Sequence, residues 1–167
     1  MKLNVVLFEP EIPPNVGNIA RTCAATGARL YICGKISFDF SEKHLKRAGL
    51  DYWPKMDVIY YSSIDRFLDD YGDKNLLFFT TKAPRDYCQV NYNEMDEVFL
   101  VFGRETRGIE EEILVKHREQ CVRIPMKEDI RSLNLSNSVA VAVYEVLRQK
   151  KFESLECEGQ LHRLSWI

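Results

Sequence analysis

Apolar residues come along this chain in two patterns, short continuous runs and stretches at helical spacing, and the two take turns. LNVVLFEP (3–10) is an apolar run stopped by Pro10. PPNVGNIARTCAATG (13–27) reads as a helix with prolines at its entrance and glycine past its end. RLYICG predicts a second strand, SEKHLKRAG a short basic helix, DVIYYS a strand, SIDRFLDDYG a helix and NLLFFTTK a buried strand. After a polar loop, EVFLVFG predicts the fifth strand, RETRGIEEEILVKH a loop and acidic helix, and CVRIPM the sixth strand. Six strands alternating with five helices imply an α/β fold: one domain over 1–167, a mostly parallel six-stranded sheet, helices on both faces.

The last helix is the most informative. Within VAVAVYEVLRQK the first six residues alternate like a strand, yet Leu135, Val139, Val143 and Val146 recur at helical spacing. Good helix formers follow, so the prediction is a helix over about 134–150, apolar on nearly every side and therefore buried. Its entrance, SLNLSNS, holds Ser132, Asn134, Ser136, Asn137 and Ser138, more hydrogen-bonding capacity than one cap requires. Two readings stand: an over-polar cap on a core helix, or a ligand site. In a parallel α/β fold ligands bind beyond the carboxyl ends of the strands. The loops predicted there are EPEIPPNVGN, TTKAP, GRETRG and IPMKEDIRSLN, where the polar residues concentrate.

Composition narrows the chemistry. The 167 residues are 46% hydrophobic, enough for one core and too few for a separate recognition domain. A formal charge of -2 gives no global attraction to polyanions, so a nucleic-acid site would be a local basic patch. Five cysteines without a CxxC pair and three scattered histidines suggest a reduced, cytoplasmic protein with no metal site, and no apolar run reaches membrane length. GxGxxG, GxxxxGK[ST] and GxSxG are absent, which disfavours classical dinucleotide, P-loop and serine-hydrolase chemistry. Asn15, Arg21, Glu105, Ser132 and Asn134 remain as a set suited to positioning polar substrates.

NVGNIARTC (15–23), FGRETRG (102–108) and IPMKEDIRSLNLSNSVAVAVYE (124–145) together resemble the three ordered motifs of the SPOUT superfamily of RNA 2′-O-methyltransferases. EPEIPPNVGN, LKRAGLDYW and TTKAP are similar to its short branch acting on the cytidine or uridine wobble ribose of tRNA; the likeness covers about 2–150. The resemblance implies a C-terminal trefoil knot, a homodimer, S-adenosylmethionine as cofactor and the tRNA anticodon stem-loop as partner. It implies a cofactor pocket from Phe79, Gly103, Ile124, Ser132 and Leu133, and catalytic roles for Arg21, Asn15, Glu105, Asn134 and Tyr144. Gly103 would let the backbone approach the ligand; Arg21, always protonated, would hold a phosphate and lower the proton affinity of the ribose hydroxyl. Each has a plainer alternative: a turn for Gly103, core for Phe79, Ile124 and Tyr144, caps for the asparagines, a solvated carboxylate for Glu105 and a surface cation for Arg21. Lys43, Lys46 and Arg47, with Arg107 and Lys116, form the candidate RNA-binding patch. Methylation of another tRNA or rRNA ribose, an RNA-binding module without turnover, and a small-molecule binding domain are the alternatives. The tail, 152–167, is expected either to pack at a dimer interface through Leu161, Leu164 and Trp166 or to be disordered.

Overall fold

The structure is a computed structural model that describes residues 1–36, 38 and 56–166. Six parallel strands form one sheet: β1 (Lys2–Phe8), β2 (Arg29–Cys33), β3 (Val58–Tyr61), β4 (Leu76–Phe79), β5 (Glu97–Phe102) and β6 (Cys121–Val122), in the order β3-β2-β1-β5-β4-β6. Among the described residues the α-helices are α1 (Pro13–Thr26), α2 (Ile64–Tyr71), α3 (Glu111–Lys116) and α4 (Leu135–Gln149). The predicted basic helix over 41–49 lies outside the described residues.

The continuous apolar runs have their explanation in the two faces of this sheet. Successive strand residues point to opposite sides. Leu3, Val5, Leu7, Leu30, Ile32, Leu100 and Phe102 pack with Val16, Ile19 and Ala20 of α1 and with Val139, Val143 and Val146 of α4. Their neighbours Val6, Phe8, Tyr31, Phe78, Phe99 and Val101 pack with Phe67 of α2 and Leu114 of α3. The α/β class, the parallel sheet and the helices on both faces are thus as the sequence predicts.

Two elements depart from expectation. β6 is only two residues long, because the apolar run CVRIPM turns at once into backbone pairing with the 80–87 loop: Arg123 N donates to Arg85 O and Tyr87 N to Arg123 O. Helix α4 is not buried all round; Asn137, Val141, Tyr144 and Arg148 form an exposed stripe, with Val141 at 37% and Tyr144 at 48% exposure. After α4 the chain turns through three non-glycine residues of positive φ, Lys151, Phe152 and Ser154. Phe152 and Leu155 pack back on the core, whereas Leu161, Leu164 and Trp166 stand exposed.

The sheet order brings the loops after β1, β5, β4 and β6 side by side at the carboxyl edge. β1 and β5 are neighbours there although they lie far apart in sequence.

Candidate functional site

Helix α1 begins without a side-chain cap of its own: Ile12 occupies the cap position and Pro13 and Pro14 follow. The prolines carry no N–H, so the donors left at this end are those of Glu11 and Ile12. Glu105, in the loop after β5, takes both, with Glu11 N at 2.8 Å and Ile12 N at 3.1 Å. The same carboxylate accepts from Asn15 Nδ2 at 3.0 Å. Glu11 returns the contact: its carboxylate accepts from Thr106 N at 3.0 Å and Thr106 Oγ1 at 2.8 Å. Two loops, 95 residues apart in sequence, are clasped by carboxylates running in both directions.

The relay continues into α4. Asn134 caps this helix, its Oδ1 accepting from Ser136 N at 2.9 Å, Ser136 Oγ at 2.7 Å and Asn137 N at 3.4 Å. Its Nδ2 donates to Asn15 Oδ1 at 3.0 Å. Only one orientation of each amide satisfies this chain. The backbone donors of α4 require an oxygen from Asn134, which turns its amide nitrogen toward Asn15 Oδ1 and so aims the Asn15 nitrogen at the Glu105 carboxylate. Asn15 is 4% exposed. A buried amide bonded on both sides fixes two helix N-termini against one loop.

These groups border a cleft of 580 Å³, in the range of small-molecule sites. Phe79, Phe102 and Ile124 supply apolar wall, and Gly103, Ser132 and Leu133 also line it, as do Asn15, Glu105, Arg107 and Asn134. Phe79 and Phe102 stack with centroids 4.7 Å apart. All five residues expected in a cofactor pocket, scattered from 79 to 133, therefore meet in one space. For Gly103 the turn alternative has a steric reason beside its place in the cleft: a Cβ there would lie 2.2 Å from the Gly108 carbonyl carbon. The glycine is needed to close the loop, whose ends pair as Gly108 N to Arg104 O at 2.8 Å.

Arg21 and Tyr144 are elsewhere. Arg21 is exposed on α1, six residues beyond Asn15 or about 9 Å along the axis, and does not line the cleft. Tyr144 projects from the exposed stripe of α4. Lys116 sits at the far end of α3, away from the cleft lining, and Lys43, Lys46 and Arg47 lie outside the described residues. Glu11, Thr106 and Arg131 were not singled out from sequence. The first two bond each other across two loops, Thr106 donating to the Glu11 carboxylate, and Arg131 immediately precedes the polar entrance stretch. No group of His, Cys, Asp and Glu suited to a metal ion occurs among the described residues. No helix among them is long and apolar enough to cross a membrane.

A doubly covered parallel sheet with a cleft between the loops after β4, β5 and β6 defines the class, and comparison with known proteins gives the family. The chain belongs to the SpoU rRNA Methylase family, whose model matches residues 2–144, and is a methyltransferase by that membership. It is 47% identical over 148 residues, 88% of this chain and 93% of the relative, to the tRNA (cytidine(34)-2′-O)-methyltransferase of Escherichia coli strain K12. A solved chain from Bacillus anthracis superposes with a TM-score of 0.88 at 41% identity, covering 93% of this chain and 99% of its own. A second, described as giving structural insights into the 2-OH methylation of C/U34 on tRNA, superposes with a TM-score of 0.80 at 39% identity, covering 91% and 98%.

Proposed function

We propose that this chain transfers a methyl group from S-adenosylmethionine to the ribose 2′-hydroxyl of the wobble nucleotide of tRNA, a cytidine or modified uridine at position 34. The observation that carries the reading is the cleft, where apolar walls suited to a purine adjoin a hydrogen-bonded relay suited to a ribose. The names of the Escherichia coli relative and of the second solved neighbour support the substrate.

The residues present fit the cofactor. Phe79 and Ile124 would enclose the adenine, backbone groups of Ser132 and Leu133 would bond its edge, and Gly103 keeps the loop wall free of a side chain. When bound, the cofactor supplies an electrophilic methyl group on a sulfonium. The protein's task is then to orient the hydroxyl and ease loss of its proton. Asn15 and Asn134 hold the N-terminus of α4, capped by a neutral amide, at the cleft, so a ribose oxygen would meet a fixed dipole that favours developing negative charge. Glu105 anchors that arrangement rather than acting as a free base, since its oxygens are already taken by three N–H groups.

Arg21 enters this scheme from a second copy of the chain. Its helix face is exposed next to Ala24 and Ala25, and α4, packed on the same side of the sheet, shows Val141 and Tyr144. Pairing these faces in a homodimer would bury the apolar residues, put Tyr144 at the seam and carry Arg21 to the partner's cleft, where it holds a phosphate. In the same reading the chain around β6 forms a trefoil knot, Arg107 with the 43–47 cations and Lys116 guides the anticodon stem-loop, and the enzyme works in the cytoplasm.

The test is methyl transfer from labelled S-adenosylmethionine to tRNA from cells lacking this protein, with the product mapped by mass spectrometry. A single 2′-O-methyl at the wobble ribose is expected. A methyl elsewhere overturns the substrate, and no transfer despite cofactor binding overturns the enzyme reading. Arg21→Ala and Glu105→Gln chains, each nearly inactive alone, should recover roughly a quarter of wild-type activity when mixed and allowed to exchange, as expected for two sites shared between subunits.

A further inference from the structure

The cations that line the cleft fall into two groups. Arg104 is paired with Glu9 and lies 3.8 Å from Glu110, and Lys82 is paired with Glu111. Arg107 and Arg131 are different: both are exposed, and among the described residues neither guanidinium has an ion pair or hydrogen bond. In a protein of net charge -2 with 25 carboxylates to choose from, two unpaired arginines on one cleft are a local feature the global balance does not supply.

Arg107 stands at the tip of the loop closed by the Arg104–Gly108 pairing. Its two predecessors are tied down, Glu105 by the donors of α1 and Thr106 by Glu11. Arg131 stands three residues before Asn134, whose side chain is fixed to α4 and to Asn15. Arg107 is thus a free cation directly after two anchored residues and Arg131 one three residues before an anchored cap, the two anchors joined through the same Glu105–Asn15–Asn134 relay. Such an arrangement sets two planar, always-charged donor groups on one cleft, open to an anion.

We propose that Arg131, together with Arg107, clamps a backbone phosphate of the RNA beside the ribose being modified. The inference rests on the function proposed above and names the residue that seats its substrate. Because Arg131 acts on the polynucleotide, its removal weakens RNA binding and leaves the cofactor site intact. Because the contact is ionic, the loss shows in the salt dependence, where each phosphate contact adds about 0.7 to 0.9 to the slope of log affinity against log salt.

The experiment compares wild type, Arg131→Gln and Arg131→Lys, measuring tRNA affinity from low to moderate salt, S-adenosylhomocysteine affinity by calorimetry, and KM and kcat for tRNA. For Arg131→Gln the expected results are a slope flatter by about 0.7 to 0.9, a KM for tRNA raised about fivefold to tenfold, and unchanged S-adenosylhomocysteine binding and melting temperature. Arg131→Lys, which keeps the charge, should restore the slope. A wild-type slope in Arg131→Gln overturns the clamp. Loss of S-adenosylhomocysteine affinity also overturns it, and assigns Arg131 to the cofactor carboxylate. If wild type itself transfers no methyl to RNA, it is the proposed function that fails, which the same series reveals before any variant is compared.

Discussion

The cleft at the carboxyl edge of the sheet and a second hollow at its amino edge are nearly equal in size, 580 and 520 Å³, yet they are different kinds of place. At the carboxyl edge the N-termini of α1 and α4 converge, and Glu105, Asn15 and Asn134 bond one another across three segments. The amino-edge hollow is lined by Lys2, Asn4, Thr26, Arg29 and Lys150 near the C-terminal ends of the same helices. Its polar groups are taken up locally: Asn4 Nδ2 by Val98 O at 3.2 Å, Arg29 by Asp57 at 2.5 Å, and Lys150 Nζ by Asn93 O at 2.9 Å. Parallel strands with crossover helices impose this polarity, because each helix following a strand starts where that strand ends. Volume therefore does not mark the site. Convergence of helix N-termini with side chains bonded across the gap does.

The comparison breaks first at Glu105. Replacing it with glutamine puts an amide nitrogen where one of three N–H donors now finds an oxygen, so kcat/KM should fall by about 10²-fold while S-adenosylhomocysteine binding weakens much less. A loss confined to melting temperature would make Glu105 a fastener only. Asn134→Ala comes next. It removes the α4 cap, for about 1 kcal/mol of stability, and leaves Asn15 Oδ1 without its donor, so melting temperature and activity should fall together. If Asn134→Asp restores stability but not activity, the amide's bond to Asn15 is the part that matters to turnover. The smallest effect belongs to the amino edge. Lys150→Ala should change methyl transfer less than twofold, within the few tenths of a kcal/mol of an ordinary surface substitution, and a large loss there would undo the contrast.

These effects bear on what the sequence could reveal. The strands were legible because they are buried on both faces, as at Val5 and Val6, which pack on opposite sides yet read as one apolar run. The VAVAVY segment was read correctly as helix, but not its exposure: Val141 and Tyr144 face outward, and an apolar residue on a surface looks the same in sequence as one in the core. At the site, residue types were legible and partners were not. Asn15, Glu105 and Asn134 stood out singly, whereas bonds spanning 90 and 119 residues depend on strand order, which periodicity does not encode. Glu11 passed unnoticed for the same reason, its partner Thr106 lying in another loop.

The most direct measurement is calorimetric titration of S-adenosylhomocysteine into wild type, Leu133→Trp and Lys2→Trp. Leu133 and Lys2 are exposed residues lining the carboxyl-edge cleft and the amino-edge hollow respectively, so each tryptophan occludes one of them with little cost to the core. The account predicts that Leu133→Trp loses binding and that Lys2→Trp keeps wild-type affinity. Binding that survives in Leu133→Trp and disappears in Lys2→Trp would contradict it.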